Sequence, residues 1–236
     1  MSKMMKKLPQ MLMLLLMALV FIPGVKTDAA TVPFTYPKHV YAEYRKNNEV
    51  RIDVTLKKAY QKYHYTEKYT NVKVKNTKIA VASKNGDHAS MLYYGPYLKL
   101  KKTGTTKVTF DVKLGNSDKV YHCSTTLHVY KYKKPIKKLT IGGKNVASKI
   151  KLSYYDCRNL SYDYKLKSNS QNLKVKVTPA SGWKVTKIMQ GADPQRAKKV
   201  KNGGTVKVRN GSEWLTVTLK HSKTKVVKTL NISFYR

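Results

Sequence analysis

The feature that most constrains this chain is a strict alternation of apolar and polar residues. In residues 98–114, which read LKLKKTGTTKVTFDVKL, one face would carry Leu98, Leu100, Val108, Phe110, Val112 and Leu114. Because the side chains of a β-strand point alternately to opposite faces, a period of two predicts strands with one buried face. No stretch of helical period exceeds about ten residues. We therefore predict an all-β protein.

Turn signals separate the alternating segments. Residues 50–56 alternate like residues 98–114, and residues 115–118 (GNSD) predict a hairpin into a strand with Cys123 on its inward side. Asn-Gly pairs at 85–86, 202–203 and 210–211 predict further hairpin turns that need positive φ. Short strands at this spacing are typical of a β-sandwich.

The sequence divides best at residues 131–135 (KYKKP), which are charged, poor in apolar residues and end in proline. Strand-like patterns resume beyond this point, as in residues 173–177 (LKVKV) and 226–234. We predict two tandem immunoglobulin-like β-sandwich domains, residues 31–132 and 133–236.

The first thirty residues predict a cleaved signal peptide. Lys3, Lys6 and Lys7 precede an apolar run at residues 11–22, and small residues follow a Pro-Gly break. The run is well short of the roughly 20 residues needed to cross a bilayer. We expect a secreted protein that is extracellular or held non-covalently at a cell surface.

Two segments of the first predicted domain resemble the bacterial immunoglobulin-like group 2 domain. They are residues 76–81 (NTKIAV) and residues 98–110 (LKLKKTGTTKVTF). The second predicted domain is similar to cadherin-like β-sandwich modules through LTIGGKNV and LKVKVTPASGWKVTKI. The resemblance implies two β-sandwiches and a non-enzymatic role as a spacer, adhesion or wall-associated module. It implies no fixed ligand residues.

The charge of the chain is one-sided. It has 48 Lys and Arg against 12 Asp and Glu, a formal net charge of +36. A genome rich in A and T would favour lysine codons, but it would enrich Asp and Glu as well, and these two residues are scarce. Such a charge predicts attraction to polyanions. We expect a partner such as a teichoic-acid-like polymer, a glycosaminoglycan, or nucleic acid bound without sequence specificity; the oligomeric state stays open.

The predicted polyanion-binding residues lie in the second domain, where 25 basic residues face 4 acidic ones. A lysine on the outer face of any one strand is expected in a β-sheet and does not by itself indicate a binding site. The excess of basic over acidic residues does indicate one. The predicted set is Lys174, Lys176, Lys184, Lys187, Arg196, Lys198, Lys199 and Lys201. Only 6 of the 48 basic residues are arginine, which disfavours sequence-specific DNA reading.

Exposed aromatic residues support an alternative function. Tyr93, Tyr94 and Tyr97 surround a Gly-Pro turn and could form a stacking platform in a carbohydrate-binding module, or could instead cover the end of a sandwich. A passive structural spacer is a further alternative, and it predicts no ligand.

Catalytic and metal-binding motifs are absent from the sequence. We therefore predict neither an enzyme nor a cofactor. His122 and His128 are six residues apart on one strand, too far to share a metal. The other histidines, His39, His64, His88 and His221, are expected to be isolated. Cys123 and Cys157 would fall in different domains, where they are buried apolar residues or form an interdomain disulfide.

Overall fold

The computed structural model describes residues 32–46, 48–58, 67–83, 95–115, 118–153, 156–191, 196–211 and 214–236. Within these ranges the chain forms β-strands and one short 3₁₀ turn at Ala147–Lys149. The predicted all-β class is therefore confirmed. The predicted signal peptide, residues 1–30, lies outside the described residues.

The described residues of the N-terminal half, residues 34–132, form three sheets. Strands β2, β9, β8 and β5 form a four-stranded sheet in that order, β3, β7 and β6 form a second sheet, and β1 pairs with β4. The strands are β1 (Phe34–Thr35), β2 (His39–Tyr44), β3 (Glu49–Arg51), β4 (Thr55–Leu56), β5 (Glu67–Val74), β6 (Ala80–Ala82), β7 (Tyr97–Leu100), β8 (Gly104–Leu114) and β9 (Val120–Lys131).

The C-terminal half, residues 133–236, has two sheets within its described ranges. Its four-stranded sheet has the order β11, β10, β14, β17, and its six-stranded sheet has the order β12, β13, β19, β18, β15, β16. The strands are β10 (Ile136–Ile141), β11 (Lys144–Asn145), β12 (Lys151–Leu152), β13 (Asn159–Lys165), β14 (Ser170–Pro179), β15 (Trp183–Gln190), β16 (Lys198–Lys199), β17 (Thr205–Arg209), β18 (Trp214–His221) and β19 (Val227–Tyr235).

The two halves share one topological feature. In each, an early strand pairs in parallel with the last strand, β2 with β9 and β13 with β19. The remaining pairs are antiparallel, including the predicted hairpin of β8 and β9. In each half, the last strand therefore lies in the same sheet as this earlier strand and next to it.

The alternation in the sequence fixes which residues form the cores. Phe110, Leu98 and Leu127 are fully or almost fully buried in the N-terminal half, and Ile141 and Phe234 in the C-terminal half. Residues 50–56 keep the predicted alternation, although they contribute to two short strands, β3 and β4, and not to one.

No strand of the described residues belongs to sheets of both halves, and the change falls at residues 132–135. Residues 34–236 nevertheless form one compact unit. The division into domains 31–132 and 133–236 therefore stays a prediction.

Two of the predicted hairpins are wrong. Gly203 and Gly211 have the predicted positive φ, 87° and 67°. However, β16 and β18 lie in the six-stranded sheet, whereas β17, between them in sequence, lies in the four-stranded sheet. Each Asn-Gly pair therefore turns the chain from one sheet to the other. The pair at 85–86 lies outside the described residues.

Candidate polyanion-binding surface

The outer face of the C-terminal four-stranded sheet is basic. Along β14 the residues Leu173, Val175 and Val177 point inward, so that Lys174 and Lys176 point outward. The same alternation applies to β17 and, beyond a bulge at residues 136–138 that also leaves Lys137 exposed, to β10. The outward cations of this sheet, here called the basic face, are Lys138, Lys174, Lys176, Lys207 and Arg209, and all five are exposed.

The strand register keeps these cations apart. Lys138 stands opposite Thr178, and Lys176 stands opposite Thr140. On the other side of β14, Thr205 faces Lys174 and Asn172 faces Lys207. Neutral residues thus separate the cations, whose diagonal neighbours across a strand pair are about 7–8 Å apart. The basic face is a row of cations without direct like-charge pairs.

No carboxylate compensates this row in the described part of the sheet. The described acidic residues of the C-terminal half are Asp156 and Asp163, and neither lies on β10, β11, β14 or β17. Within the described ranges, none of the five cations has an acidic partner.

The predicted set of eight residues does not form one site. Lys174 and Lys176 belong to the basic face, whereas Lys184 and Lys187 lie on β15 in the other sheet of the sandwich. Lys198 and Lys199 form β16 at the edge of that second sheet. Lys201 lies in the turn whose backbone bonds to Val175 in β14. Arg196 is exposed. Sequence alternation identified outward lysines but not the sheet to which each belongs.

The outer face of the six-stranded sheet has a different character. Lys184 and Lys220 stand directly opposite one another there. Its centre is neutral, with Thr218 opposite Thr229 and Thr216 opposite Asn231. Asp163 also lies on this face and accepts a hydrogen bond from the Ser233 hydroxyl. Asp163 partly compensates the positive charge of this face.

The junction of the two halves holds several of the scarce carboxylates. Arg158 contacts Asp156 at 2.6 Å and Asp53 of the N-terminal half at 2.8 Å. Arg51 adds a contact to Asp53, also at 2.8 Å. Burial alone would raise the pKa of Asp53, but the two guanidinium groups outweigh it and hold this pKa below its usual value. Asp53 is therefore ionised and shared between the halves.

A second ion pair at the junction is completely buried. The Lys228 ammonium, 0% exposed, lies 3.1 Å from Glu43 Oε2. It donates to the Cys157 carbonyl at 2.8 Å and lies 4.9 Å from the centre of the Tyr132 ring. Burial raises the pKa of Glu43 despite the attraction of Lys228. Sequence reasoning missed this pair, although Lys228 occupies an inward position of its strand.

Both cysteines are free and buried, so the structure contains no interdomain disulfide. Cys123 lies on the inward side of β9, as predicted. Cys157, although it follows the predicted boundary, packs into the apolar core of the N-terminal half. Its N–H donates to the Glu49 carbonyl at 2.9 Å. The C-terminal half thus inserts a turn into its neighbour.

Tyr97 alone of the predicted aromatic site lies among the described residues; Tyr93 and Tyr94 lie outside them. Tyr97 begins β7, is half-buried, and accepts a hydrogen bond from Arg51 at 3.4 Å. The preceding Gly95 and Pro96 are buried and not at an exposed turn tip. Exposed rings occur elsewhere, at Trp214 and Tyr235, which are 49% and 45% exposed.

His39 is not isolated, contrary to the sequence interpretation. Its Nδ1 lies 3.2 Å from Nε2 of His128, because β2 pairs in parallel with β9. Tyr41 stacks on the His128 ring, and burial together with His39 lowers the pKa of His128. The described residues contain no group of three or more His, Cys, Asp or Glu side chains arranged for a metal. Parallel pairing of distant segments is not visible in the sequence.

The described residues contain no helix that is long and apolar enough to span a membrane.

No family model and no curated protein sequence matches this chain. Among solved structures, it is similar to fibronectin(III)-like modules of CbhA from Clostridium thermocellum, with 10% identity, a TM-score of 0.27, and coverage of 86% of this chain and 94% of that one. Domains 4–9 of the surface layer protein SbsC give 18% identity, a TM-score of 0.29, and coverage of 85% and 31%. Human protocadherin-24 EC1-2 gives 12% identity, a TM-score of 0.27, and coverage of 86% and 97%.

These neighbours are of the kinds that the sequence resemblance predicted. At such identities and TM-scores the likeness carries no argument about the site or its function. What the surface can bind has to be inferred from the residues of this chain.

Proposed function

We propose that this protein is a secreted, non-enzymatic β-sandwich protein that attaches to extracellular polyanions. The first candidates are the phosphate-bearing polymers of a cell envelope, to which it would adhere as a wall-associated module. The observation that carries this proposal is the basic face, with five exposed cations and no carboxylate among the described residues of its strands. The signal-peptide pattern of residues 1–30 supports an extracellular location.

The physical basis is the release of counterions. A charged polymer condenses counterions, and lysines that replace them stabilise the complex without close geometric fit. Lysine suits this role because its charge is a compact point on a flexible stem, whereas bidentate recognition favours arginine. Four of the five cations of the basic face are lysine. We therefore expect binding that is broad in ligand and steep in salt.

The structure changes which residues should be tested. Lys174 and Lys176 remain from the sequence-based set, and Lys138, Lys207 and Arg209 join them. Lys201 lies beside this face through its turn on β14. Lys184 and Lys187 become a control, because they belong to the other sheet.

The experiment compares two variants of equal charge. In the face variant, Lys138, Lys174, Lys176, Lys207 and Arg209 are changed to Gln. In the control variant, the exposed residues Lys165, Lys184, Lys187, Lys220 and Lys223 are changed to Gln. Binding of the purified protein to teichoic-acid-bearing walls, heparin and single-stranded DNA is measured from low to high salt, and circular dichroism checks the fold.

For single-stranded DNA, removing five bound cations should reduce the slope of log K against log salt by about 3.5 in the face variant. The control variant should change this slope little. If both variants lose binding equally, net charge and not the basic face is responsible. If the parent protein binds independently of salt, the proposal is wrong.

The same titration separates the two alternatives. A carbohydrate-binding module would bind a neutral polysaccharide, keep that binding at high salt, and lose it on substitution of Tyr93, Tyr94 and Tyr97. A passive spacer would bind neither class of ligand. Both alternatives stay predictions.

A further inference from the structure

A groove of about 540 Å³ opens where the two halves meet. It is formed by residues that follow β2 in the N-terminal half and by β12 with its neighbours in the C-terminal half. The residues that line it include Arg45, Lys46, Asn48, Lys151, Leu152 and Ser153. This groove is separate from the basic face, since none of its residues lies on β10, β14 or β17.

The charge in the groove is positive and uncompensated by its own lining. Arg45, Lys46 and Lys151 contribute three cations, and no carboxylate is among the described lining residues. The Arg45 guanidinium is held 5.6 Å from the centre of the Tyr132 ring. Three like charges around one groove repel each other, and a bound anion would relieve that repulsion.

Asn48 provides an independent sign of a missing ligand. Its side chain is buried, with 6% exposure, and its Nδ2 has no hydrogen-bond partner among the described residues. Its backbone is fixed, because its N–H donates to the Arg45 carbonyl at 3.0 Å and its carbonyl accepts from Leu100 at 2.9 Å. Buried donors are almost always paired in folded proteins. Asn48 is also one of the residues that line the groove, so a ligand there could supply the missing acceptor.

We propose that this groove binds a phosphoryl group. Phosphate carries close to two negative charges and three strong acceptor oxygens, which match the three cations, the Asn48 amide and the Ser153 hydroxyl. A carboxylate carries one charge and would leave two cations uncompensated. The proposal goes beyond polymer attachment, because it assigns a defined site for one small anion at the junction of the halves.

Inorganic phosphate is the probe, and acetate at the same ionic strength is the carboxylate comparison. Binding to the full chain is followed by chemical-shift changes of the Asn48 side-chain amide and by the melting temperature. We expect saturable binding of phosphate, a rise in melting temperature, and at least about tenfold weaker binding of acetate.

Two variants and a control test the assignment. Arg45→Gln combined with Lys151→Gln should weaken phosphate binding at least about tenfold, and both residues are exposed, so the fold should persist. Asn48→Ala should also weaken it. Lys174→Gln with Lys176→Gln should leave phosphate binding unchanged while it weakens polyanion binding.

Absence of saturable phosphate binding would overturn the proposal, and so would equal binding by the parent and the Arg45/Lys151 variant. Acetate binding as tightly as phosphate would overturn the phosphoryl assignment. If the basic face does not bind polyanions, the phosphate results still stand, because the Lys174/Lys176 variant tests polyanion binding separately.

Discussion

The buried pair of Lys228 and Glu43 gives the sharpest prediction about stability. We would change Lys228 to Met, which keeps most of the apolar stem but removes the charge. Glu43, only 2% exposed, would then be a carboxylate without its ion-pair partner. Removing one partner of a buried pair typically costs about 3–5 kcal/mol, because the other charge remains buried.

The cost has an upper bound that depends on pH. Glu43 can escape its unpaired charge by taking a proton, which costs about 1.4 kcal/mol per pH unit above its ordinary pKa of about 4.3. The unpaired charge of Glu43 can therefore lower the free energy of unfolding by at most about 3.7 kcal/mol at pH 7 and about 1 kcal/mol at pH 5. The loss of the hydrogen bond to the Cys157 carbonyl adds about 1 kcal/mol at either pH.

The sign follows from proton linkage. A carboxyl group whose pKa is higher in the folded state binds more protons there, so that stability falls as pH rises above the ordinary pKa. Burial already raises the pKa of Glu43 in the parent protein. Without Lys228 this dependence should steepen, and the variant should lose more stability at neutral pH than in weak acid.

A double-mutant cycle isolates the pair. Glu43→Gln keeps an acceptor for the Lys133 N–H, which lies 3.3 Å from Oε1. Each single variant should be destabilised, whereas the double variant should recover most of the loss, since no buried charge remains. Lys220→Met, exposed on the neighbouring strand β18, is the matched control and should change stability by less than about 0.5 kcal/mol.

Urea unfolding at pH 5 and pH 7 measures these free energies. Tryptophan fluorescence and circular dichroism should report one transition if the halves unfold together. The reasoning is refuted if Lys228→Met is no more destabilising than Lys220→Met, or if its effect is the same at both pH values.

Two further predictions concern the junction and the thiols. Because burial raises the pKa of Cys123 and Cys157 to about 11, a thiol reagent at about pH 8 should label neither in the folded protein and both after denaturation; rapid labelling of folded protein, or a disulfide in unreduced protein, would contradict this. Because the pKa of Asp53 is lowered in the folded state, its ionised carboxylate stabilises the fold above about pH 4. This stabilisation is lost as the pH falls through the lowered pKa. Asp53→Asn should thus lower the melting temperature at neutral pH but not in strong acid, and a pH-independent difference would count against the ion pair with Arg158.

The sequence predicted the strands better than their partners. Alternation located β8, β9, β14 and β19 because the period of two is a property of each strand alone. It could not assign Lys174 and Lys184 to different sheets, since their local patterns are alike. It also could not predict the contact between His39 and His128, because parallel pairing joins segments that are 89 residues apart.

The junction was the hardest part to predict, yet one signal was present. Lys228 shares the period of Leu230, Ile232 and Phe234, all of which are buried. An outward lysine is uninformative, whereas a lysine in an inward position requires a buried partner. Its partner Glu43 differs, because it is buried out of phase with Val40 and Ala42, the inward residues of β2.

The placement of the carboxylates links stability to the proposed function. The chain has only 12 acidic residues, and three of them, Glu43, Asp53 and Asp156, make ion pairs at the junction. Both halves carry a net positive charge and would repel each other, so negative groups at the junction offset that repulsion where the halves meet. In the part of the chain that the structure describes, the same placement leaves the basic face without carboxylates. A single distribution of charge can therefore hold the two halves together and leave a cationic surface free for an external polyanion.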